Sequence, residues 1–313
     1  MHPDTPDALQ AVLAWLREEQ YRFTTVTPAT QARVLSRDPT RRAKSLRDVF
    51  GWSRAFAPAL LPRPVIEVLR TAGLLQDAGD GLVRSAIRVS SIGEALFAHS
   101  AYPTGTADAV FFGPDTVRFV DLVAGELARE PLRRGARILD VGCGSGAGGV
   151  MAALASPGAA LFLSDINPRA LQFADANARH AGSKVELAQG DLFAPLQGTF
   201  DLIIANPPYL NDAAQRTYRH GGGRWGEALS LRIVREGQAR LAPGGRLVLY
   251  TGVAMGEDGT DVLLAGLRAE LQHSAGRWSY RELDPDVFGE ELEEAAYADA
   301  ERIAAVAFVY HQP

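Results

Sequence analysis

The first hundred residues show the spacing of short amphipathic helices. The first predicted helix carries apolar side chains three or four positions apart: Leu9, Val12, Leu13 and Leu16. Proline suits the first turn of a helix, so Pro28 and Pro64 predict two further helix starts. The N-terminal part of the chain is therefore expected to be mainly helical.

A turn rich in aspartate and glycine follows these helices at residues 77–81. Runs containing valine, isoleucine and leucine flank it, and this pattern predicts a hairpin. Helices followed by a hairpin resemble a winged-helix module, a shape that serves DNA reading, dimerisation and substrate capping alike. We therefore predict a smaller helical, winged-helix-like domain over residues 1–105, with substrate recognition as its expected role.

From about residue 116 the pattern changes to apolar runs of strand length that alternate with helical stretches. The first five runs are ARILDV, ALFLSD, KVELAQ, FDLIIAN and GRLVLYTG. A helix near residues 258–273 then leads to RWSYREL, and RIAAVAFVYH closes the chain as a late pair of strands. This alternation predicts an α/β domain over residues 106–313, with a seven-stranded, doubly wound, Rossmann-like sheet.

The composition is that of an ordinary folded chain and excludes several classes of protein. Hydrophobic residues make up 47% and charged residues 22%, which excludes intrinsic disorder. The single cysteine, Cys143, cannot form an internal disulfide and fits a reducing cytoplasm. No apolar run reaches the roughly 18–20 residues that span a bilayer, and the first residues lack the pattern of a signal peptide. We expect a cytoplasmic protein without a membrane segment.

The charge is acidic in total but uneven along the chain. Thirty-two bases against 37 acids give a net charge of −5, which excludes a uniformly basic nucleic-acid binder. Residues 37–54 nevertheless hold six bases against only Asp38 and Asp48. Arginine supplies all but two of the bases in the chain, Lys44 and Lys184 being the exceptions. A nucleic-acid partner therefore stays open through this one stretch.

A glycine-rich loop follows the first strand of the α/β domain. Gly142, Gly144 and Gly146 let the backbone turn tightly and approach a ligand closely. The helix that follows offers its N-terminal amides to a charged group. Gly144, Gly146 and Gly149 also satisfy the spacing GxGxxG, so an NAD-dependent oxidoreductase remains an alternative at this point.

Acidic residues stand at the ends of the first three strands. Asp140 is placed to meet a cationic amino group, whereas it would repel a pyrophosphate. Asp165 suits ribose hydroxyls, and Asp191 can accept from an adenine amine while Leu192 packs on the ring. Three helix caps would explain the acids without any ligand. Their common position at one sheet edge favours a cofactor that carries both an amino acid and a nucleoside.

The sequence Asn206-Pro207-Pro208-Tyr209 follows the fully apolar fourth strand. Proline cannot extend a central strand, so the last groups of this strand are directed into the cleft. The side-chain carbonyl of Asn206 and the backbone carbonyl of Pro207 form a pair of acceptors that suits a planar NH2 group. Tyr209 can stack on the planar group that bears this amine. Alternatively, the prolines only end the strand and Asn206 only caps it, without a catalytic role.

The motifs DVGCGSG, SDINPRAL, GDLF and NPPY, in this order, resemble the class I S-adenosylmethionine-dependent methyltransferases that methylate amino groups. The segment from about residue 110 to 252 is similar to release-factor glutamine methyltransferases and to RNA and DNA amino methyltransferases. The resemblance implies S-adenosyl-L-methionine as cofactor. It also implies methyl transfer to a planar amino or amide nitrogen, of a protein glutamine or a nucleic-acid base, by direct in-line displacement.

The resemblance also assigns roles to particular residues. The expected cofactor-binding residues are Phe112, Thr116, Asp140, Gly142, Gly144, Gly146, Asp165, Ile166, Asp191, Leu192 and Asn206. The expected acceptor-holding, catalytic residues are Asn206, Pro207, Pro208 and Tyr209. The histidines are scattered and no metal-ligand spacing occurs, so we expect no metal site.

The substrate stays open at the level of sequence. A long loop after Tyr209 contains Arg216, Arg219 and Arg224, together with three consecutive glycines that predict mobility. The arginines suggest an anionic or polar part of the substrate. Protein, RNA or DNA are the expected partners, and a small metabolite is not excluded. A winged-helix regulator with a cofactor-sensing α/β domain is the alternative from another functional class.

Overall fold

The computed structural model describes residues 5–212 and 219–313. The N-terminal part consists of four helices followed by two hairpins. The helices are α1 (Thr5–Glu18), α2 (Pro28–Ser36), α3 (Leu46–Phe50) and α4 (Arg63–Thr71). The hairpins pair β1 (Leu75–Asp77) with β2 (Val83–Ser85), and β3 (Ile87–Ile92) with β4 (Ala95–Ser100).

The predicted local features of this part are confirmed in three places. The apolar face of α1 is buried, and the Thr27 side chain caps α2 by accepting from the amide of Thr30. The turn at residues 77–81 joins β1 to β2. Helix α3 and the second hairpin were not predicted. Residues 95–100 favour a helix by their alanine and leucine content, but antiparallel pairing with β3 makes them a strand.

The rest of the chain forms one seven-stranded sheet with helices between the strands. The strands are β5 (Arg137–Val141), β6 (Ala160–Asp165), β7 (Val185–Gln189), β8 (Phe200–Ala205), β9 (Leu241–Gly256), β10 (Arg277–Asp284) and β11 (Ala300–His311). The helices are α5 (Pro114–Arg129), α6 (Ala147–Ala155), α7 (Pro168–His180), α8 (Ala228–Gln238) and α9 (Val262–Leu271). Short 3-10 turns occur at 58–60, 289–293 and 295–297.

The strand order is β10-β11-β9-β8-β5-β6-β7. Strands β5 to β9 run parallel, while β11 pairs antiparallel with both β9 and β10. The predicted α/β fold with seven strands and a late strand pair is therefore confirmed. The chain leaves β5 toward β6 and later returns to its other side as β8. Ligands bind at such switch points, beyond the carboxyl ends of the strands.

The N-terminal part is joined to the sheet through α7. The apolar cluster that contains the core of α1 and α4 continues to Ala170, Phe173 and Ala176 on α7. Asn177 is fully buried and bonds both backbone groups of Ala98 on β4 as well as the carbonyl of Ser145. This contact links the second hairpin to the loop after β5. None of the helices in the described ranges has the length and apolarity to cross a membrane.

Candidate functional site

A cavity of about 630 Å³ lies at the carboxyl ends of β5, β6 and β8. This volume falls within the usual range for small-molecule and cofactor sites. Most of the residues predicted for the site lie in its wall. These are Thr116, Asp140, Gly142, Gly144, Asp165, Ile166, Asp191, Leu192, Asn206, Pro207, Pro208 and Tyr209. The strand-end motifs, distant in sequence, thus meet around one space.

Two of the predicted residues lie outside this wall. Phe112 is 2% exposed and stacks on His99 at a centroid distance of 4.9 Å, while its neighbour Phe111 faces the cavity. Gly146 has a left-handed φ of 76° at the start of α6. A Cβ there would come within 3.0 Å of Leu163 and 3.1 Å of Ala174, so Gly146 permits close helix–sheet packing.

The carboxylate of Asp165 holds the glycine loop in place. Its Oδ2 accepts from the amide of Gly144 at 2.9 Å, and its Oδ1 accepts from the amide of Asn167 at 2.8 Å. Burial raises the pKa of this carboxyl, and the backbone amides oppose the rise. A carboxylate can accept about four hydrogen bonds, so Asp165 retains capacity for a ligand hydroxyl.

Asp140 lies in the cavity wall and is only 1% exposed. Its Oδ2 accepts from the amide of Gly149 in the first turn of α6, at 2.8 Å. Burial raises the pKa of Asp140 to about 7, and nearby Asp165 adds to the rise. The residue therefore caps α6 and also faces the cavity. The capping role weighed from the sequence is present, and it leaves Oδ1 for a second partner.

The end of β7 and the loop after β6 contribute two apolar side chains to the cavity wall, next to an acidic residue. Ile166 is 56% exposed and Leu192 is half-buried, and both line the cavity. The exposed side chain of Ile166, next to Asp165, is suited to packing against the planar ring of a bound ligand. Asp191 forms two bonds with Arg232, at 2.9 and 2.8 Å, which occupy part of its acceptor capacity. This ion pair was not predicted because Arg232 lies on α8.

The sequence Asn206-Pro207-Pro208-Tyr209, which we call the acceptor motif after its expected role, ends β8 as predicted. Asn206 and Pro208 are half-buried, Pro207 and Tyr209 are buried, and all four line the cavity. The ring of Tyr209 packs on Gly252 of β9, where an added Cβ would lie 2.3 Å from the ring. It also meets Phe288 edge-on, with a centroid distance of 5.9 Å. Glycine at position 252 thus makes room for the tyrosine.

A buried carboxylate fixes the hydroxyl of Tyr209. Asp115 accepts from Tyr209 at 2.9 Å through Oδ2 and from Tyr250 at 2.6 Å through Oδ1. Arg118 neutralises this aspartate at 3.0 Å and also pairs with Asp284 at 2.8 Å. Burial raises the pKa of Tyr209 well above its usual value. The tyrosine hydroxyl is therefore protonated and engaged, and it is the ring that remains for a ligand.

The segment after Tyr209 returns to pack on the acceptor motif. Leu210 pairs with His220 in an isolated bridge, and the amide of Gly221 donates to the carbonyl of Leu210 at 2.9 Å. A Cβ at Gly221 would lie 2.6 Å from the carbonyl of Pro208, and one at Gly226 would lie 2.1 Å from that of Tyr209. Close packing explains Gly221 and Gly226, and Gly222 and Gly223 adopt positive φ values of 72° and 81°.

The arginines of this segment are occupied by carboxylates. Arg219 lines the cavity but pairs with Asp212 and Glu291. Arg224 pairs with Asp299 at 3.0 Å and lies over the ring of Trp225. Arg216 falls outside the described residues. His220, which was not predicted as a site residue, lies in the cavity wall, and its buried Nδ1 has no hydrogen-bond partner among the described residues.

The N-terminal part supplies a section of the cavity wall that was not predicted from the sequence. Pro28 at the start of α2 and residues 102–104 after β4 line the cavity beside Phe111. These residues carry no motif, and only the packing of α1 and β4 on α7 brings them to the sheet edge. The site is thus shared by the two parts of the chain.

Comparison with known proteins gives a consistent result. Residues 120–267 match the family model described as "Methyltransferase small domain". The chain is 32% identical over 244 residues to the release factor glutamine methyltransferase of Bordetella pertussis, covering 74% of this chain and 88% of that protein. It is 37% identical over 156 residues to the corresponding protein of Deinococcus radiodurans, covering 47% of this chain.

The Deinococcus radiodurans match spans only about half of that relative, 55% of its length. Among solved structures, Trm5b from Pyrococcus abyssi is similar with a TM-score of 0.50 and 15% identity, covering 76% of this chain and 62% of that one. At this identity the likeness extends to the fold alone. The family model, the curated relatives and the solved structure therefore all match the part of the chain that contains the sheet.

Proposed function

The chain belongs to the class I S-adenosylmethionine-dependent amino methyltransferases, and from this premise we propose that it methylates a planar amino or amide nitrogen of a protein or nucleic acid. The observation that carries the proposal is the meeting of two motif sets around one cavity. The glycine loop and three strand-end acids form one side, and Asn206 to Tyr209 form the other. The small-metabolite and regulator alternatives lack such support.

The residues present fit S-adenosylmethionine. Asp140 offers a free carboxylate oxygen to the ammonium of the methionine moiety, and Asp165 offers its remaining lone pairs to the ribose hydroxyls. Ile166 and Leu192 offer apolar surface to the adenine, and Asp191 can accept from its amine. An NAD pyrophosphate, by contrast, would meet the negative charge of Asp140.

When bound, the cofactor supplies a methyl group already activated on a sulfonium. The protein therefore contributes alignment and electrostatics more than acid–base chemistry. Asn206 and the carbonyl of Pro207 accept from the two hydrogens of the acceptor NH2 group. Holding these hydrogens draws the nitrogen lone pair out of conjugation and aims it toward the cofactor side of the cavity.

Tyr209 orients the acceptor through its ring. Because its hydroxyl is bound to Asp115 and protonated, it does not act as a base. The ring is held by contacts with Gly252 and Phe288, so a planar acceptor can stack only on the part of the ring that faces the cavity. The proton released on methylation leaves through solvent, since the cavity opens at the sheet edge.

Calorimetric titration with S-adenosylmethionine and with NAD tests the cofactor part of this proposal. We expect saturable binding of S-adenosylmethionine with one site per chain and no measurable binding of NAD. Asp165→Ala should weaken binding of S-adenosylmethionine by at least about tenfold, because the backbone amides of Gly144 and Asn167 and the ribose hydroxyls lose their acceptor. Asp258→Ala is the matched control, because it removes an exposed aspartate on another loop. Preferential binding of NAD would overturn the proposal.

A further inference from the structure

A cationic surface surrounds the far end of α2. Residues 28–54 hold seven bases and two acids, a net charge of +5, in a chain whose total is −5. Arg33, Arg37, Arg42 and Lys44 are all exposed, and we call these four side chains the cationic surface. The remainder of the chain sums to −10, so this stretch is the exception in a strongly acidic molecule.

The cationic surface is free to bind a partner. In the described ranges, no ion pair or hydrogen bond joins any of its four side chains to a carboxylate. Arg41, by contrast, pairs with Asp48, and Arg54 is buried and donates to the carbonyls of Asp38 and Arg41. These internal bonds fix the loop that displays the exposed cations. The loop is thus fixed by internal bonds, while its exposed cations have no carboxylate partner in the described ranges. Such an arrangement is suited to binding an external anion.

The position of this surface relates it to the candidate site. Helix α2 begins at Pro28, which lies in the cavity wall, and ends at Ser36, next to Arg37. Arg33 is five residues after Pro28, about 7.5 Å along the helix axis, and the nine residues of α2 span about 13 Å before Arg37. An extended anionic chain that enters the cavity past Pro28 would run along this helix.

The cavity wall contains several aromatic rings. Tyr102, Phe111, Tyr209 and Phe288 all line it. Proteins that bind single-stranded nucleic acid combine such stacking rings with a positively charged surface that follows the backbone. Enzymes that act on a base take it out of its stack and hold it between aromatic or apolar side chains.

We propose that the methyl acceptor is the exocyclic amine of a base in single-stranded nucleic acid, whose phosphates lie on the cationic surface. This inference rests on the proposed function and names its substrate class. The base enters past Pro28 and Tyr102 and presents its NH2 group to Asn206 and Pro207. An acidic protein would also bind arginines, but the small planar amide of a glutamine needs only one ring, whereas a base and its neighbours in a single strand can stack on several.

Fluorescence anisotropy with a labelled 20-nucleotide RNA and the same sequence in DNA tests the inference, using the full chain at several salt concentrations. We expect binding whose logarithmic salt slope is about −3, because single strands contribute about −0.7 for each neutralised phosphate. The quadruple variant Arg33→Gln, Arg37→Gln, Arg42→Gln and Lys44→Gln should lose most of this slope and at least about tenfold in affinity at low salt.

A matched variant separates a local effect from total charge. Arg268→Gln, Arg277→Gln, Arg281→Gln and Lys184→Gln remove three exposed arginines and one exposed lysine elsewhere. This variant should bind both nucleic acids within about twofold of the unmodified chain. Both variants should bind S-adenosylmethionine normally, which shows that they fold and that the cofactor site is intact.

Several results would overturn the inference. Equal loss in the two variants would make the binding a matter of net charge alone. Tighter binding of poly-glutamate than of RNA or DNA would assign the surface to an acidic protein. Absence of nucleic-acid binding, with S-adenosylmethionine still bound, would refute the inference while leaving the proposed function intact. Failure to bind S-adenosylmethionine at all would instead refute the proposed function.

Discussion

Asp140 illustrates how one side chain serves both the fold and the site. It caps α6 through the amide of Gly149 and faces the cavity with its other oxygen. Because burial disfavours the charged form, the pKa of Asp140 is raised to about 7. Below this pH the folded protein holds a neutral acid there, and above it a carboxylate. A ligand ammonium pairs only with the carboxylate.

The affinity for S-adenosylmethionine should therefore rise with pH. Between about pH 6 and pH 7.5 we expect a roughly five- to tenfold gain, as the ionised fraction of Asp140 grows. The range ends below the pH at which an α-amino group loses its proton. Calorimetry across this range provides the measurement. Asp140→Asn can still cap α6 but cannot ionise, so its weaker affinity should be flat, and a flat profile in the unmodified chain would contradict the assignment.

The residue types at the site were predictable, whereas some of their partners were not. Strand-end positions placed Asp140, Asp165 and Asn206 at one sheet edge because carboxyl ends of parallel strands meet there. In the loop before α5, no periodicity distinguishes Phe112 from Phe111. Only the fold shows that Phe112 packs inward on His99 and that its neighbour faces the cavity.

At the scale of elements, regular alternation of strands and helices made the seven-stranded sheet predictable. The conformation of the loop after β8 was not predictable, because it depends on close contacts between backbone groups. Gly226 adopts a φ of 105°, and its Cα faces the carbonyl of Tyr209. Helix α3 and the hairpin of β3 and β4 also escaped prediction, because pairing between distant residues decides such short elements.

Gly226→Ala tests whether this loop supports the acceptor motif. A Cβ there would lie 2.1 Å from the carbonyl oxygen of Tyr209, so the backbone of the acceptor motif must shift. We expect methyl transfer to fall by roughly a hundredfold, the usual effect of a displacement of about 1 Å at a reacting centre. Binding of S-adenosylmethionine should change little. Steady-state transfer assays and calorimetry give the two values.

Gly259→Ala is the matched control for this change. Gly259 also has a positive φ, of 79°, but nothing lies within 4 Å of its added Cβ. Gly259→Ala should lose about 1–2 kcal/mol of unfolding free energy through the strained backbone, and Gly226→Ala should lose more because its backbone contact adds to the strain, as measured by urea denaturation. Only Gly226→Ala should lose transfer. Equal activity of the two variants would mean that the loop does not hold Tyr209.

At the scale of the whole molecule, the N-terminal part and the sheet form one site. Pro28 and residues 102–104 complete a cavity whose chemistry comes from the strand ends. The total charge of −5 conceals a stretch of +5 beside that cavity, so the composition alone understated the case for a nucleic-acid partner. The sequence predicted both parts, but their docking on α7 depends on buried contacts such as those of Asn177.

Methyl transfer into a macromolecule tests the central claim most directly. Tritium-labelled S-adenosylmethionine is incubated with cell extract and either the unmodified chain or Asn206→Ala, and label in nucleic acid and protein is counted separately. We predict label in the macromolecular fraction with the unmodified chain only. Asn206→Ala should still bind S-adenosylmethionine within about threefold, since it loses only one acceptor of the NH2 group. Undiminished transfer by Asn206→Ala would contradict the account.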